Sequence, residues 1–144
     1  MSSQTRKKLF TVFSILAVVL IGIFFYYQIR DQDRIHQQKD EKERVKNNIT
    51  TYVTAERSDY RYRALGGISD LQISVTNNSD YLLENVKVKV TYIKFDGGIW
   101  QDKYVDFNSI DPHSKMTLKI PDTDRGVKVE YQIASIKSDA LNLN

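Results

Sequence analysis

Two carboxylates stand two residues apart in the stretch "PDTDRG", Asp122 and Asp124. Calcium takes ~6–8 oxygen ligands, and only Asp111 or Asp139 could add carboxylates here. A polar turn closed by Gly126 accounts for the same residues without a metal. Asp102 and Asp106 lie four apart on one predicted strand. At ~3.3 Å per residue such a pair is ~13 Å apart, beyond the ~5–9.5 Å that paired carboxylates span in glycoside hydrolysis. His113 is a possible general base, but its setting, "DPHS", is turn chemistry, and no nucleophile pairs with it in sequence. His36 sits in a polar stretch with no second ligand beside it. The chain has no cysteine, so it offers neither a thiolate nucleophile nor a disulfide. These residues point to no metal, no cofactor and no catalytic group, and the expected protein is not an enzyme.

Trp100 and Tyr104 are the residues singled out for contact with a partner or ligand. They share parity on one predicted strand, with Asp102 and Asp106, while Ile99, Val105 and Phe107 hold the opposite parity. If the second set faces the core, the two rings point outward as an aromatic, acidic strip of the kind that partner interfaces and sugar platforms use. The competing expectation is that Trp100 packs inward beside the turn Asp96–Gly98.

The elements that carry these residues follow from periodicity. Leu71, Ile73 and Val75 alternate with polar residues. So do Val86, Val88, Val90 and Tyr92, then Met116, Leu118 and Ile120, then Val127, Val129, Tyr131 and Ile133. Period two with one apolar face predicts strands packed on one side. Turn residues separate them: "NNSD" at 77–80, "DGG" at 96–98, "DPHS" at 111–114 and "PDTDRG" at 121–126. Ile99–Phe107 adds a strand and Tyr60–Ala64 suggests another. About six antiparallel strands make an all-β domain, a small immunoglobulin-like sandwich over residues 58–144.

Ahead of that domain lie two other segments. Leu9–Tyr27 is 19 residues without a charge, about 28 Å as a helix against a hydrocarbon core of ~30 Å. The stretch "FFYYQIR" offers no small residue for signal peptidase. Residues 1–29 are therefore expected to be a basic tail and transmembrane anchor, with the bilayer as partner through residues 9–27. The basic tail places the N-terminus in the cytoplasm and the domain outside it, on the periplasmic side. Residues 30–57, "RDQDRIHQQKDEKERVK" onward, are expected to form a polar helical stalk. Val45, Ile49, Tyr52 and Val53 would dock its end on the domain.

The formal net charge of +3 resolves along the same division. Residues 1–27 hold three bases and no acid, 28–57 seven bases and six acids, and 58–144 eleven bases and twelve acids. The basic excess is outside the folded domain, where a nucleic-acid footprint would have to lie, so no nucleic-acid partner is expected.

Residues "GGISDLQISVTNNSDYLLENVKVKVTYIKFDGG", "IDPHSKMTLKI" and "PDTDRGVKVEYQIASI" resemble the FxLYD-type family of immunoglobulin-like bacterial domains. They are similar to domains of membrane-anchored Bacteroidetes proteins. The shared pattern is a strand ending in Asn, a Val-x-Val-x-Val strand, a Gly turn, and a Pro-containing turn before the next strand. The likeness covers about residues 66–137 and implies an envelope-exposed module, with no catalytic residues to carry over. The resulting expectation is a membrane-tethered β-sandwich acting as a protein-interaction or accessory module of the cell envelope. The alternative is a carbohydrate- or small-ligand-binding module.

Overall fold

The computed structural model describes the backbone of residues 3–63 and 65–144, and the side chains of 19–28, 30, 34–63 and 65–144. The chain divides into two compact units, 1–42 and 43–144.

Helix α1 runs Ser3–Asn47 and continues through the polar residues 30–47. The membrane-spanning helix and signal anchor expected within 1–29 are corrected by the structure. Among the described residues, no helix is long and apolar enough to cross a membrane. The apolar stretch with described side chains is Val19–Tyr27, followed by Gln28 and Arg30. At ~1.5 Å per residue it covers about 14 Å, half of a ~30 Å hydrocarbon core. The rest of the uncharged run, side chains 9–18, lies outside the described residues.

The second unit begins with the end of α1, where Val45 is buried. A short helix α2, Ile49–Tyr52, leads directly into strand β1, Val53–Arg57. Val53 is buried in the core and Ile49 packs against it. The last five residues of the expected helical stalk, Val53–Arg57, are thus the first strand of the sandwich.

Seven more strands follow: β2 (Arg61–Tyr62), β3 (Ile68–Ser69), β4 (Gln72–Asn77), β5 (Leu83–Ile93), β6 (Ile99–Ile110), β7 (Ser114–Lys119) and β8 (Lys128–Lys137). Two three-stranded antiparallel sheets, ordered β1-β4-β7 and β6-β5-β8, carry the fold, with β2 and β3 forming a small ribbon. The core is one cluster drawn from both sheets. Ile73 and Val75 come from β4, Val86, Val88, Val90 and Tyr92 from β5, and Phe107 from β6. These are the period-two apolar residues of the sequence. Each fully buried aliphatic or Phe side chain contributes roughly 1.5–3 kcal/mol, which lets a chain with no disulfide hold two small sheets together. The outer strands are less strictly divided: Met116, Leu118, Tyr131 and Ile133 are half-buried at the margin.

Two polar devices fix the loop ends. At one end Asn77, fully buried, closes β4. Its Nδ2 donates toward the carbonyls of Tyr81 (2.8 Å), Ile110 (3.2 Å) and Asp111 (3.1 Å). Its Oδ1 accepts from Ser79 N (3.0 Å) and Ser79 Oγ (2.7 Å). At the other end, the turn after β2 is stitched to the segment before β8. Gly67 N donates to Gly126 O (2.8 Å), and Ile68 and Thr123 exchange backbone bonds (3.2 and 2.9 Å). Gly67 has φ of 111°, and a Cβ there would lie 3.0 Å from Thr123 O. That approach explains a glycine at this position.

Candidate functional site

Strand β6 carries the two aromatic residues singled out from sequence, and it treats them differently. It lies at the edge of its sheet and pairs with β5. Val88↔Val105 and Val86↔Phe107 hold the inward parity, so Tyr104, opposite Lys89, points away from the core and is 55% exposed. Between Tyr92↔Gln101 and Ile93↔Ile99 the register slips, which leaves Trp100 as the extra residue of a bulge. A bulge re-aims a side chain. Trp100 is half-buried against the core, its ring edge-on to Tyr92 at 6.2 Å and 72°, while Ile99 is exposed. The two rings therefore do not form one outward strip, because period-two parity holds only across an unbroken ladder.

Around Tyr104 the outer face of this sheet is polar and its charges are engaged. Lys89 Nζ lies 2.8 Å from Asp102 Oδ2, and Thr91 Oγ1 donates to Asp102 Oδ1 at 2.7 Å. The Lys89 hydrogen bond, followed by that of Thr91, holds the Asp102 carboxyl below the ordinary carboxylate range. The same bond raises the Lys89 ammonium. Asp106 accepts from Asn85 Nδ2 (3.1 Å) and sits 3.7 Å from Lys87 Nζ. Both carboxylates thus have cation partners, the arrangement of cross-strand pairing rather than of a general acid and base.

The remaining candidates are placed apart. His113 Nε2 lies 2.6 Å from Asp80 Oδ1 on the exposed surface. The nearby Ser114 hydroxyl donates to Asp111 O (2.7 Å) rather than to the imidazole. Asp122 Oδ1 lies 3.4 Å from the Asp70 amide. Among the described residues there is no group of three or more His, Cys, Asp or Glu side chains able to hold a metal ion. His36 is exposed on α1.

Sequence reasoning missed a cleft of about 240 Å³ at the loop end of the sandwich. Leu65, Phe95 and Val127 line it together with Lys94, Arg125 and Gly126. Leu65 and Phe95 stand almost wholly in solvent. The turns that carry them read "RALGG" and "KFDGG": each places a bulky apolar side chain beside glycines, where turn chemistry alone favours polar residues. That mismatch was the available signal.

No family model and no curated protein matches this chain. Among solved structures, it is similar to a DUF1425 family member from Shewanella sp. pv-4, at 13% identity and a TM-score of 0.46, over 60% of this chain and 81% of that one. The assignment of a small β-sandwich rests on the strand pairing described above.

Proposed function

We propose that the domain is a protein-interaction or accessory module that receives an extended segment of a partner along β6. The observation that carries this reading is the edge itself. Strand β6 is twelve residues long and takes a strand partner on one side, with Ile99 and Tyr104 exposed along it. An edge strand presents unpaired backbone donors and acceptors, and addition of a strand is a recurrent mode of peptide recognition. Lys103, opposite Val90 at the inner margin and half-buried, acts as a guard. An inward-leaning charge discourages indiscriminate pairing and leaves the edge to a complementary sequence. The strand-and-turn likeness of residues 66–137 to FxLYD-type domains is in keeping with a binding rather than a catalytic module. A carbohydrate platform is less well supported, since Trp100 turns inward and leaves Tyr104 without a second ring.

The test is site-specific photo-crosslinking in the native cell, with a photoreactive residue at Tyr104 or, as control, at exposed Thr117 on the other sheet. The expected result is one discrete adduct from position 104 and none from 117. Equal adducts from both positions, or none from 104, would overturn the reading.

A further inference from the structure

The loop-end cleft lies where β8 begins beside β5, since Val127 N donates to Ile93 O (2.8 Å), and it takes Lys94 and Phe95 from the turn that joins β5 to β6. Three loops build it, and two of them are tied together by the bonds of Gly67, Ile68 and Thr123. The third, 94–98, is held by Lys94 N to Gly98 O (2.9 Å) and Gly98 N to Asp96 Oδ1 (2.9 Å). The backbones of the loops that carry the lining residues are therefore held in place.

The lining combines apolar side chains with two cations and contains no carboxylate. Lys94 Nζ is shared with Asp96, 3.4 Å away at the rim. Arg125 has no ion pair among the described residues, so its guanidinium is open to an anion. Its planar fork matches a carboxylate. At about 240 Å³ the cleft is smaller than the ~300–1,000 Å³ of sites for drug-sized molecules. It has room for one apolar side chain with an acid group beside it.

We propose that this cleft captures the C-terminal residue of a partner polypeptide. The apolar side chain of that residue rests on Leu65, Phe95 and Val127, and its α-carboxylate on Arg125 and Lys94. A lipid surface is the less fitting occupant. The loops 61–67, 94–98 and 121–127 hold four cations against three acids, too little excess charge to draw the domain to an anionic bilayer. The site is separate from the β6 edge, so either can fail alone.

The test titrates the isotope-labelled full chain with the tripeptide acetyl-Ala-Ala-Phe as free acid and as C-terminal amide, following amide chemical shifts. The free acid is expected to shift Leu65, Phe95, Gly126 and Val127 and to leave β6 unmoved. Affinity should fall by about tenfold or more for the amide, and likewise in Arg125→Gln, because a hydrogen bond to a charged group is lost. Arg125 is exposed, so this variant keeps the fold. Equal binding of acid and amide would overturn the proposal, as would the absence of shifts at the cleft. Hexanoate binding as tightly as the peptide acid would reassign the cleft to small carboxylates. Sedimentation with phosphatidylglycerol vesicles that is lost in Phe95→Ser would reassign the loop tips to lipid.

Discussion

Tyr92→Phe should stabilise the protein. The Tyr92 side chain is fully buried at the end of β5, and its hydroxyl has no hydrogen-bond partner among the described residues. A buried, unsatisfied hydroxyl costs about 1–3 kcal/mol relative to one solvated in the unfolded chain. The substitution removes that cost. It keeps the ring, its burial and its edge-on contact with Trp100. A gain of about 1 kcal/mol is expected, the low end because removing the oxygen also leaves a small gap and loses its packing contacts. With urea m-values of ~1–3 kcal/mol per M, the unfolding midpoint should rise by roughly 0.3–1 M. For a domain of this size the melting temperature should rise by about 4–8 °C. Trp100 is the only tryptophan and touches Tyr92, so its fluorescence reports unfolding of this part of the core. Burial also raises the Tyr92 pKa, and the sign of the pH effect follows. The folded state keeps the phenol neutral, whereas the unfolded chain releases its proton near pH ~10. Stability from this group is present below that pH and is lost as pH rises from there through the folded value. The advantage of Tyr92→Phe should therefore widen above pH ~10. A variant destabilised by about 1 kcal/mol or more, with no change in alkaline stability, would refute the reasoning by showing that the hydroxyl is hydrogen-bonded in the fold.

Asn77→Ala should lower stability by about 1–3 kcal/mol in urea unfolding, because it removes the buried amide that bonds the Tyr81 and Asp111 carbonyls and the buried carbonyl of Ile110. A loss well under 1 kcal/mol would show that the loop ends close without it. Asp102→Asn should cost a small amount of stability at neutral pH. Its carboxyl is lowered by Lys89 and Thr91, so its contribution is present above the unfolded value of ~3.9 and is lost as pH falls through the folded one. The gap between variant and parent in urea midpoint should close below pH ~4 and narrow in 1 M salt, where the screening length falls to ~3 Å. A gap unchanged by pH and salt would remove the ion pair as its cause.

Much of the sandwich was legible because side-chain direction in a strand is a local property. Alternation at Val86, Val88, Val90 and Tyr92 named the buried face of β5 before any partner strand was known. The Asn, Gly and Pro clusters marked the turns for an equally local reason, the backbone angles those residues allow. Asn77 was visible as a turn residue, but its role as a hub was not, since its partners Ile110 and Asp111 are more than thirty positions away. Hydropathy along residues 9–27 suggested a membrane span, whereas Val19–Tyr27, the stretch with described side chains, is too short for one. Trp100 and Tyr104 looked equivalent on parity alone. Pairing with β5 separated them, because one extra residue between Gln101 and Ile99 turns Trp100 toward Tyr92 and leaves Tyr104 outside. The cleft depends most on tertiary structure. Leu65, Phe95 and Arg125 come from three distant loops, and what makes them neighbours is backbone hydrogen bonding of Gly67 to Gly126, of Ile68 to Thr123 and of Val127 to Ile93. The sequence by itself determined the alternating strands from Gln72 onward and where they turn, because those depend on neighbours along the chain, while Val53–Arg57, read as stalk, became a strand only by pairing with β4. Strand order, the bulge and the meeting of loops were decided only on folding, because each depends on which distant backbone groups satisfy one another.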